Sequence, residues 1–173
     1  MQLRSKEAST RDLFDLAAFV QTEIQREGAD TLLFVNDRFD VGVAVGAHGV
    51  HVGPDDLPVD RIRAAVPKNF LIGASADDPG VASLLASQGA DYVGCGTVFA
   101  TRTKADTGPH IGVDGLARVV TATRAPVVGI GGITLRNLPQ VMTSGCAGVA
   151  LLSGIMGAAD PGEVVRSILS ALP

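Results

Sequence analysis

The chain has 173 residues and a formal net charge of −4, and 46% of its residues are apolar although only 4% are aromatic. This length is enough for one domain with a sizeable aliphatic core, and without a basic run or stripe nothing indicates nucleic-acid binding. Because Cys95 and Cys146 lie far apart and no secretory or membrane-length apolar stretch is visible, we expect a cytoplasmic protein without a disulfide or a membrane partner.

Short apolar runs alternate along the chain with stretches of helical periodicity. The first amphipathic stretch, residues 10–27, repeats apolar side chains at helical spacing behind Thr10 as a candidate N-cap. Further helices are predicted at residues 59–66, 79–88, 112–123, 134–144 and 161–171. Buried strands are predicted at residues 1–4, 31–37, 49–53, 70–75, 91–96, 125–132 and 147–154.

Strict alternation of strands and helices with short links predicts an α/β fold whose parallel strands are joined by right-handed crossovers. An open doubly wound sheet and a TIM (β/α)8 barrel both have this pattern. Polar residues at the carboxyl ends of the strands, and glycine-rich turns after the last two, favour the barrel. Only seven βα units are counted and the first would precede residue 1, so we expect residues 1–173 to form one N-terminally short barrel domain.

Two carboxylates follow consecutive predicted strands. Asn36 and Asp37 end the strand 31–37, and Asp56 follows the strand 49–53. Since neighbouring barrel strands end side by side, Asp37 and Asp56 can share one Mg²⁺, whose other ligands are water and substrate phosphate. The structural alternative is that Asp37 caps the following helix and Asp56 belongs to a turn.

Three segments after later strands have the composition of phosphate-binding loops. Residues 96–108 hold four threonines with Arg102 and Lys104, which suits a phosphate or diphosphate, and a plain mobile loop is the alternative. Residues 129–133 (GIGGI) and 151–154 (LLSG) end the last two strands, where glycine lets a ligand approach the backbone ahead of a helix N-terminus. For these glycines the alternative is an ordinary tight turn.

His51 ends a predicted strand two residues before Gly53. It either contacts a ligand ring or serves as a structural hydrogen-bonding group, and His48 and His110 are left without a role. The histidines and cysteines do not have zinc-site spacing, and no nucleophile elbow is present, so neither a zinc centre nor acyl transfer is supported.

Six motifs in order resemble the thiamine phosphate synthase (thiamine-phosphate pyrophosphorylase) family, from the first residue almost to the last. They are QLRSK (2–6), VNDRFDVGVAVGAHGVHVGPDDLP (35–58), IGAS (72–75), TKADTG (103–108), VVGIGGI (127–133) and GVALLSGIMGAADP (148–161). The order and spacing of the motifs make the resemblance specific. It implies an enzyme that joins 4-amino-2-methyl-5-hydroxymethylpyrimidine diphosphate to thiazole phosphate and releases diphosphate.

The resemblance also implies a role for each matching residue, together with a possible homodimer. The residues implied to hold the diphosphate are Arg4, Lys6, Asn36 and Lys104, with Ser75 nearby. Mg²⁺ is implied to bind Asp37 and Asp56, and the aminopyrimidine is implied to lie near Gln2 and His51. The residues implied to bind the thiazole phosphate are Thr101, Thr103, Gly131, Gly132, Leu152 and Ser153.

Two other functions fit the same barrel. A thiazole tautomerase would not need a diphosphate site, so the joint presence of Asn36, Asp37, Asp56 and the TRTKADTG stretch argues against it. A non-catalytic phosphate-binding barrel, inactivated by the missing unit, would show broken ligands, and none of the assigned ligands is broken.

Overall fold

Helices and parallel strands alternate along the chain, as the sequence predicts. A computed structural model describes residues 1–101 and 110–172. The strands are β1 (Gln2–Leu3), β2 (Phe34–Asn36), β3 (Gly49–Val52), β4 (Leu71–Ser75), β5 (Tyr92–Cys95), β6 (Val127–Ile130) and β7 (Gly148–Ala150). The helices are α1 (Thr10–Arg26), α2 (Phe39–Ala44), α3 (Val59–Ala65), α4 (Pro79–Ser87), α5 (Gly112–Ala122), α6 (Leu138–Met142), α7 (Ser153–Met156) and α8 (Pro161–Ala171).

The first of two compact units comprises Met1–Ser75 and Ser87–Asp91 and contains β1 to β4. These strands pair in parallel and in chain order. The register sets Asn36 opposite His51 and His51 opposite Gly73. Because successive strand residues point to opposite faces, Asn36, His51 and Ser75 lie on one face of the strands.

The opposite face of these strands forms the core of the first unit. Val35, Val50 and Ile72 are aligned by the register and are completely buried. Val35 belongs to a cluster with Leu13 and Ala17 of α1. Burying aliphatic side chains from both a helix and the strands is the main stabilisation of such a layer.

The N-terminus of α1 differs by one residue from the prediction. Its N-cap is Ser9, whose hydroxyl accepts the N–H of Asp12 at 3.2 Å, so the prediction of Thr10 as the cap was wrong. The hydroxyl of Thr10 instead accepts a hydrogen bond from Arg38 Nη1 at 2.9 Å, which ties the start of α1 to the segment after β2.

The second unit comprises Ala76–Ala86 and the described part of Tyr92–Pro173. Its strands β5 to β7 also pair in parallel and in chain order. Val93, Val127 and Leu116 belong to its aliphatic core, together with both cysteine thiols, which are free and buried. Burial raises the pKa of the Cys95 thiol to about 12, so that thiol stays protonated at neutral pH.

Three helices differ from the sequence expectation. The short helices α2 and α7 were not predicted, because six and four residues show too little periodicity to be recognised. The helix expected at residues 134–144 is limited to Leu138–Met142. A hydrogen-bonded turn precedes it, because the N–H groups of Asn137 and Leu138 both donate to the carbonyl of Thr134. Among the described residues, no helix has both the length and the apolar character needed to span a membrane.

Candidate functional site

The two carboxylates predicted to share a cation lie together in the first unit. Asp37 follows β2 and Asp56 follows β3, and their side chains are close enough to share a hydrogen bond. Burial, that hydrogen bond and repulsion by Asp56 raise the pKa of Asp37, while Lys6 and Arg4 act in the opposite direction. A pair of carboxylates that shares a proton is an arrangement that a divalent cation would relieve.

Asp37 sits in a strained turn at the end of β2. Its φ of +63° is the only positive value at a non-glycine residue in the described chain. The N–H of Arg38 donates to the carbonyl of Asn36 at 2.7 Å, which closes a three-residue γ-turn around Asp37. The N–H of Asp37 donates to the carbonyl of His51 at 2.8 Å and so fixes the turn against β3. Strained backbone of this kind is concentrated at functional sites.

The capping alternative for Asp37 is wrong, whereas the turn alternative for Asp56 is confirmed. The N-cap of α2 is Arg38, and no side chain caps that helix. One oxygen of Asp56, Oδ2, accepts the N–H of Gly53 at 2.7 Å. This bond orients the Asp56 carboxylate in the turn after β3, next to Asp37.

Arg4 and Lys6 bring positive charge to this pair of carboxylates. The strand expected over residues 1–4 ends at Leu3, so Lys6 lies in the bend that follows and not on the strand. Both side chains are exposed, and both attract Asp37 electrostatically. Two cations and two carboxylates therefore lie together, and the chain after β1 contributes both cations.

His51 and Ser75 form a second polar contact on the same strand face. His51 Nε2 and Ser75 Oγ lie 2.9 Å apart in a hydrogen bond. Burial lowers the pKa of His51 to about 4, although the negative charge of Asp56 opposes this shift. His51 is therefore neutral at physiological pH. Asn36 is half-buried beside it, and Gln2, at the start of β1, is exposed.

The donor set fits Mg²⁺ better than a transition metal. The residues that the structure describes contain no cluster of three or more His, Cys, Asp or Glu side chains. Zinc sites in proteins use three or four such ligands, whereas Mg²⁺ is often held by two carboxylates together with water and phosphate. Asp37 and Asp56 would hold that ion.

In the second unit the predicted glycine turn is present and tightly packed. Gly131 and Gly132 follow β6 with φ values of +98° and +65°. A Cβ at Gly131 would lie 2.6 Å from Thr97, and one at Gly132 would lie 2.8 Å from the carbonyl oxygen of Ala100. The turn thus needs glycine both for its backbone conformation and for close approach.

The remaining predicted residues of the second unit are only partly described. Leu152 is exposed at the N-cap of α7, and Ser153 is the first residue of that helix. Thr101 is half-buried at the edge of the described chain. Arg102, Thr103 and Lys104 lie outside the described residues.

Two local roles were missed in the sequence. His48 Nδ1 accepts the N–H of Leu33 at 3.0 Å, so this histidine is a structural hydrogen-bonding group. Asn137 holds the glycine turn through two hydrogen bonds, to Gly132 and to Thr134. The signal in the sequence was an Asn five residues after a Gly-Gly pair. The same residue is equally typical of an ordinary helix N-cap.

Comparisons with known proteins agree with this arrangement. The family model for thiamine monophosphate synthase matches residues 1–155. A thiamine-phosphate synthase of Methanoculleus marisnigri is 43% identical over 168 residues, which are 97% of this chain and 79% of the relative. A thiamine-phosphate synthase of Pyrococcus horikoshii is 43% identical over 160 residues, which are 92% of this chain and 75% of the relative.

A solved structure shows the same fold. The thiamine phosphate pyrophosphorylase from Pyrococcus furiosus superposes with a TM-score of 0.86 at 36% identity, covering 99% of this chain and 83% of that chain. This likeness confirms the predicted α/β fold of the TIM-barrel type, with seven βα units in this chain. The chain therefore belongs to the thiamine monophosphate synthase family and is an enzyme of that kind.

Proposed function

We propose that this protein joins 4-amino-2-methyl-5-hydroxymethylpyrimidine diphosphate to thiazole phosphate, which yields thiamine phosphate and diphosphate. The observation that carries the proposal is the cluster of Arg4 and Lys6 around the paired carboxylates Asp37 and Asp56. Cations beside a carboxylate pair suit a magnesium-bound diphosphate, because every charge in the cluster then gains a partner of opposite sign.

The diphosphate is assigned to residues at the carboxyl ends of the strands in the first unit. Arg4, Lys6 and Asn36 supply N–H donors, and Ser75 supplies a hydroxyl group. Lys104 is assigned to the same diphosphate from the sequence. When bound by Asp37 and Asp56, Mg²⁺ supplies positive charge that neutralises the diphosphate oxygens.

The proposed reaction requires charge and position more than a nucleophilic side chain. The bond between the pyrimidine methylene carbon and the diphosphate oxygen breaks, and its electron pair leaves with the diphosphate. The electron-rich aminopyrimidine stabilises the cation that remains. The thiazole nitrogen then donates its lone pair to the methylene carbon and forms the new C–N bond. Arg4, Lys6 and Lys104 stabilise the negative charge that grows on the leaving group.

The aminopyrimidine is assigned to Gln2 and His51. His51 is neutral because of its burial, so it would not add a positive charge beside the pyrimidine cation. Its hydrogen bond to Ser75 links the pyrimidine contact to the diphosphate contact. Protonated histidine in this position would repel the cation, and burial prevents that protonation at neutral pH.

The thiazole phosphate is assigned to the second unit. Gly131 and Gly132 let an anion approach the backbone, and their N–H groups suit phosphate oxygens. The other residues assigned to it are Thr101, Arg102, Thr103, Leu152 and Ser153. We also propose that residues 1–173 act as one domain, that the chain forms a homodimer, and that it functions in the cytoplasm with Mg²⁺ as its cofactor.

The test is incubation of the purified chain with both substrates, with Mg²⁺ and with EDTA in its place. We expect diphosphate and thiamine phosphate to form in equal amounts, and only with Mg²⁺.

Lys104→Ala should lower turnover by about two orders of magnitude or more, since it removes a positive charge that stabilises the leaving group. Arg61→Ala is a matched control, because Arg61 is an exposed cation of the first unit whose ion-pair partner among the described residues is Asp60. Absence of product while the thiazole phosphate still binds would favour the non-catalytic barrel.

A further inference from the structure

Asn137 occupies a helix N-cap position but does not cap its helix. It immediately precedes α6, and no side-chain hydrogen bond caps that helix. Two other N-caps behave as expected, since Ser9 accepts the N–H of Asp12 and Asp160 accepts the N–H of Glu163. Asn is among the strongest N-cap residues, but here its amide group is available for other partners.

Both polar atoms of the Asn137 side chain bind the glycine turn. Its Oδ1 accepts the N–H of Thr134 at 2.7 Å, and its Nδ2 donates to the carbonyl of Gly132 at 3.0 Å. The side chain is half-buried, so these two hydrogen bonds form in partly desolvated surroundings. A single amide thus joins the second glycine of the turn to the residue two positions beyond it.

The other side of the turn is held by the segment that follows β5. The N–H of Val98 donates to the carbonyl of Ile130 at 2.9 Å, and the N–H of Phe99 donates to the carbonyl of Gly131 at 3.0 Å. Together with the bond from Asn137, three successive carbonyls of residues 130–132 therefore accept hydrogen bonds.

Two backbone N–H groups of the glycine turn can donate to a ligand. In the part of the chain that the structure describes, the N–H groups of Gly131 and Gly132 donate to no protein acceptor. Both glycines are half-buried. Successive backbone N–H groups in a turn are a recurrent anion-binding arrangement.

We propose that Asn137 is a positioning residue that holds the carbonyl of Gly132 so that the N–H groups of Gly131 and Gly132 converge on the phosphate of the thiazole substrate. This inference rests on the proposed function for its substrate. Asn137 acts through Gly132 and does not contact the phosphate itself.

The experiment uses Asn137→Ala and Asn137→Asp in the full chain. Alanine removes both hydrogen bonds, whereas aspartate keeps the acceptor for Thr134 but sets a carboxylate against the Gly132 carbonyl. Because Asn137→Asp loses only the bond to Gly132, a similar effect of both variants assigns that effect to the Gly132 bond and not to the Thr134 bond. We expect the KM for thiazole phosphate to rise about tenfold or more in both variants, which corresponds to the loss of one hydrogen bond. The KM for the pyrimidine diphosphate should stay within about twofold of the wild-type value.

The matched control is Asp160→Ala, which removes a true N-cap from α8 in the same unit. It should lower thermal stability at least as much as Asn137→Asp does, yet leave the KM for thiazole phosphate unchanged. A KM that rises equally in Asp160→Ala would show that general destabilisation, and not the turn, sets the affinity.

A binding measurement keeps this inference separate from the proposed function. With ¹⁵N-glycine labelling, thiazole phosphate and, separately, inorganic phosphate are titrated into the wild type and both variants. We expect the amide signals of Gly131 and Gly132 to shift in the wild type, and the affinity to fall about tenfold in the variants. If the wild type shows no turnover but these shifts occur, the proposed reaction fails and the role of Asn137 stands. Unshifted glycine signals in the wild type, or an unchanged affinity in Asn137→Ala, would overturn it.

Discussion

The two units differ in the groups that we propose to bind anions. In the first unit these groups are charged side chains, with Arg4 and Lys6 near Asp37 and Asp56. In the second unit, the glycine turn offers backbone N–H groups with no formal charge, at positions that glycine alone can occupy. Side-chain charges respond to pH, salt and metal ions, whereas backbone N–H groups respond mainly to geometry.

This difference also determines where each region is vulnerable. The charged cluster depends on the protonation of Asp37, whose pKa is raised by burial and by Asp56. The glycine turn does not depend on pH but has no room for one additional carbon atom, because backbone atoms lie 2.8 Å from a Cβ at Gly132. Four predictions test this contrast.

The largest effect is expected for Gly132→Ala. An alanine there would adopt a φ of +65° and would also contact the carbonyl oxygens of Phe99 and Ala100 at 2.8 Å. We expect the free energy of unfolding to fall by about 3 kcal/mol, from backbone strain together with overpacking. Urea denaturation measures this change. Gly148→Ala is the control, since a Cβ there meets nothing within 4 Å, and a comparable loss in that variant would contradict the geometric explanation.

The next effect is expected for Asp37→Gly. Removal of this carboxylate should lower turnover by about 100-fold, since a ligand of the proposed metal is lost. The fold should be at least as stable as the wild type, because glycine adopts a φ of +63° without strain and the repulsion with Asp56 disappears. Steady-state rates and urea denaturation test the two halves of this prediction. Asp60→Ala, which removes an exposed carboxylate of α3, should change neither quantity, and retained turnover in Asp37→Gly would refute the assignment.

A smaller effect is expected for the pH dependence of stability through His51. Its pKa is about 4 in the folded chain and about 6.5 in the unfolded chain, so the unfolded state binds a proton first as the pH falls. The neutral form of His51 therefore gives its full stabilisation of the fold above pH 6.5, and this stabilisation is lost as the pH falls towards 4. Between pH 7.5 and pH 4.5 we expect a loss of about 2 kcal/mol that His51→Gln does not show.

The free energy of unfolding of the wild type and of His51→Gln is measured by urea denaturation at each pH, without Mg²⁺. Asp37 contributes with the opposite sign, because a raised pKa makes the folded state more stable at low pH, and this contribution is common to the wild type and His51→Gln. An identical pH profile for the two proteins would show that His51 is not buried as a neutral group.

The smallest effect is expected for Mg²⁺ in the absence of substrate. At about ten times its dissociation constant, Mg²⁺ should stabilise the fold by about 1.4 kcal/mol. The stabilisation should shrink as the pH falls through the raised pKa of Asp37, because protons then compete for that carboxylate. Thermal unfolding with and without Mg²⁺ measures it, and Asp37→Asn should remove it. An equal stabilisation of Asp37→Asn would place the ion elsewhere.

The sequence alone was sufficient for the alternation of strands and helices and for the pairing of Asp37 with Asp56. Hydrophobic periodicity marks buried elements, and the carboxyl ends of neighbouring parallel strands lie side by side whatever the loops do. The register that sets Asn36 opposite His51 agrees with that expectation. The proposed substrates and the proposed roles of the residues come from the family motifs, because periodicity does not contain them.

Only the tertiary structure decided how the polar groups are used. The γ-turn at Asp37 depends on a hydrogen bond to His51 in the next strand, and the side chain of Asn137 leaves its cap position for the carbonyl of Gly132. Arg4 and Lys6 reach Asp37 from the chain after β1, not from a continued strand. The partners of Asp37 lie in another strand or in the chain after β1, far away in the sequence, and local sequence patterns do not record such partners. The distant partner becomes available when the strands pair, which is why the fold and not the pattern settles the site.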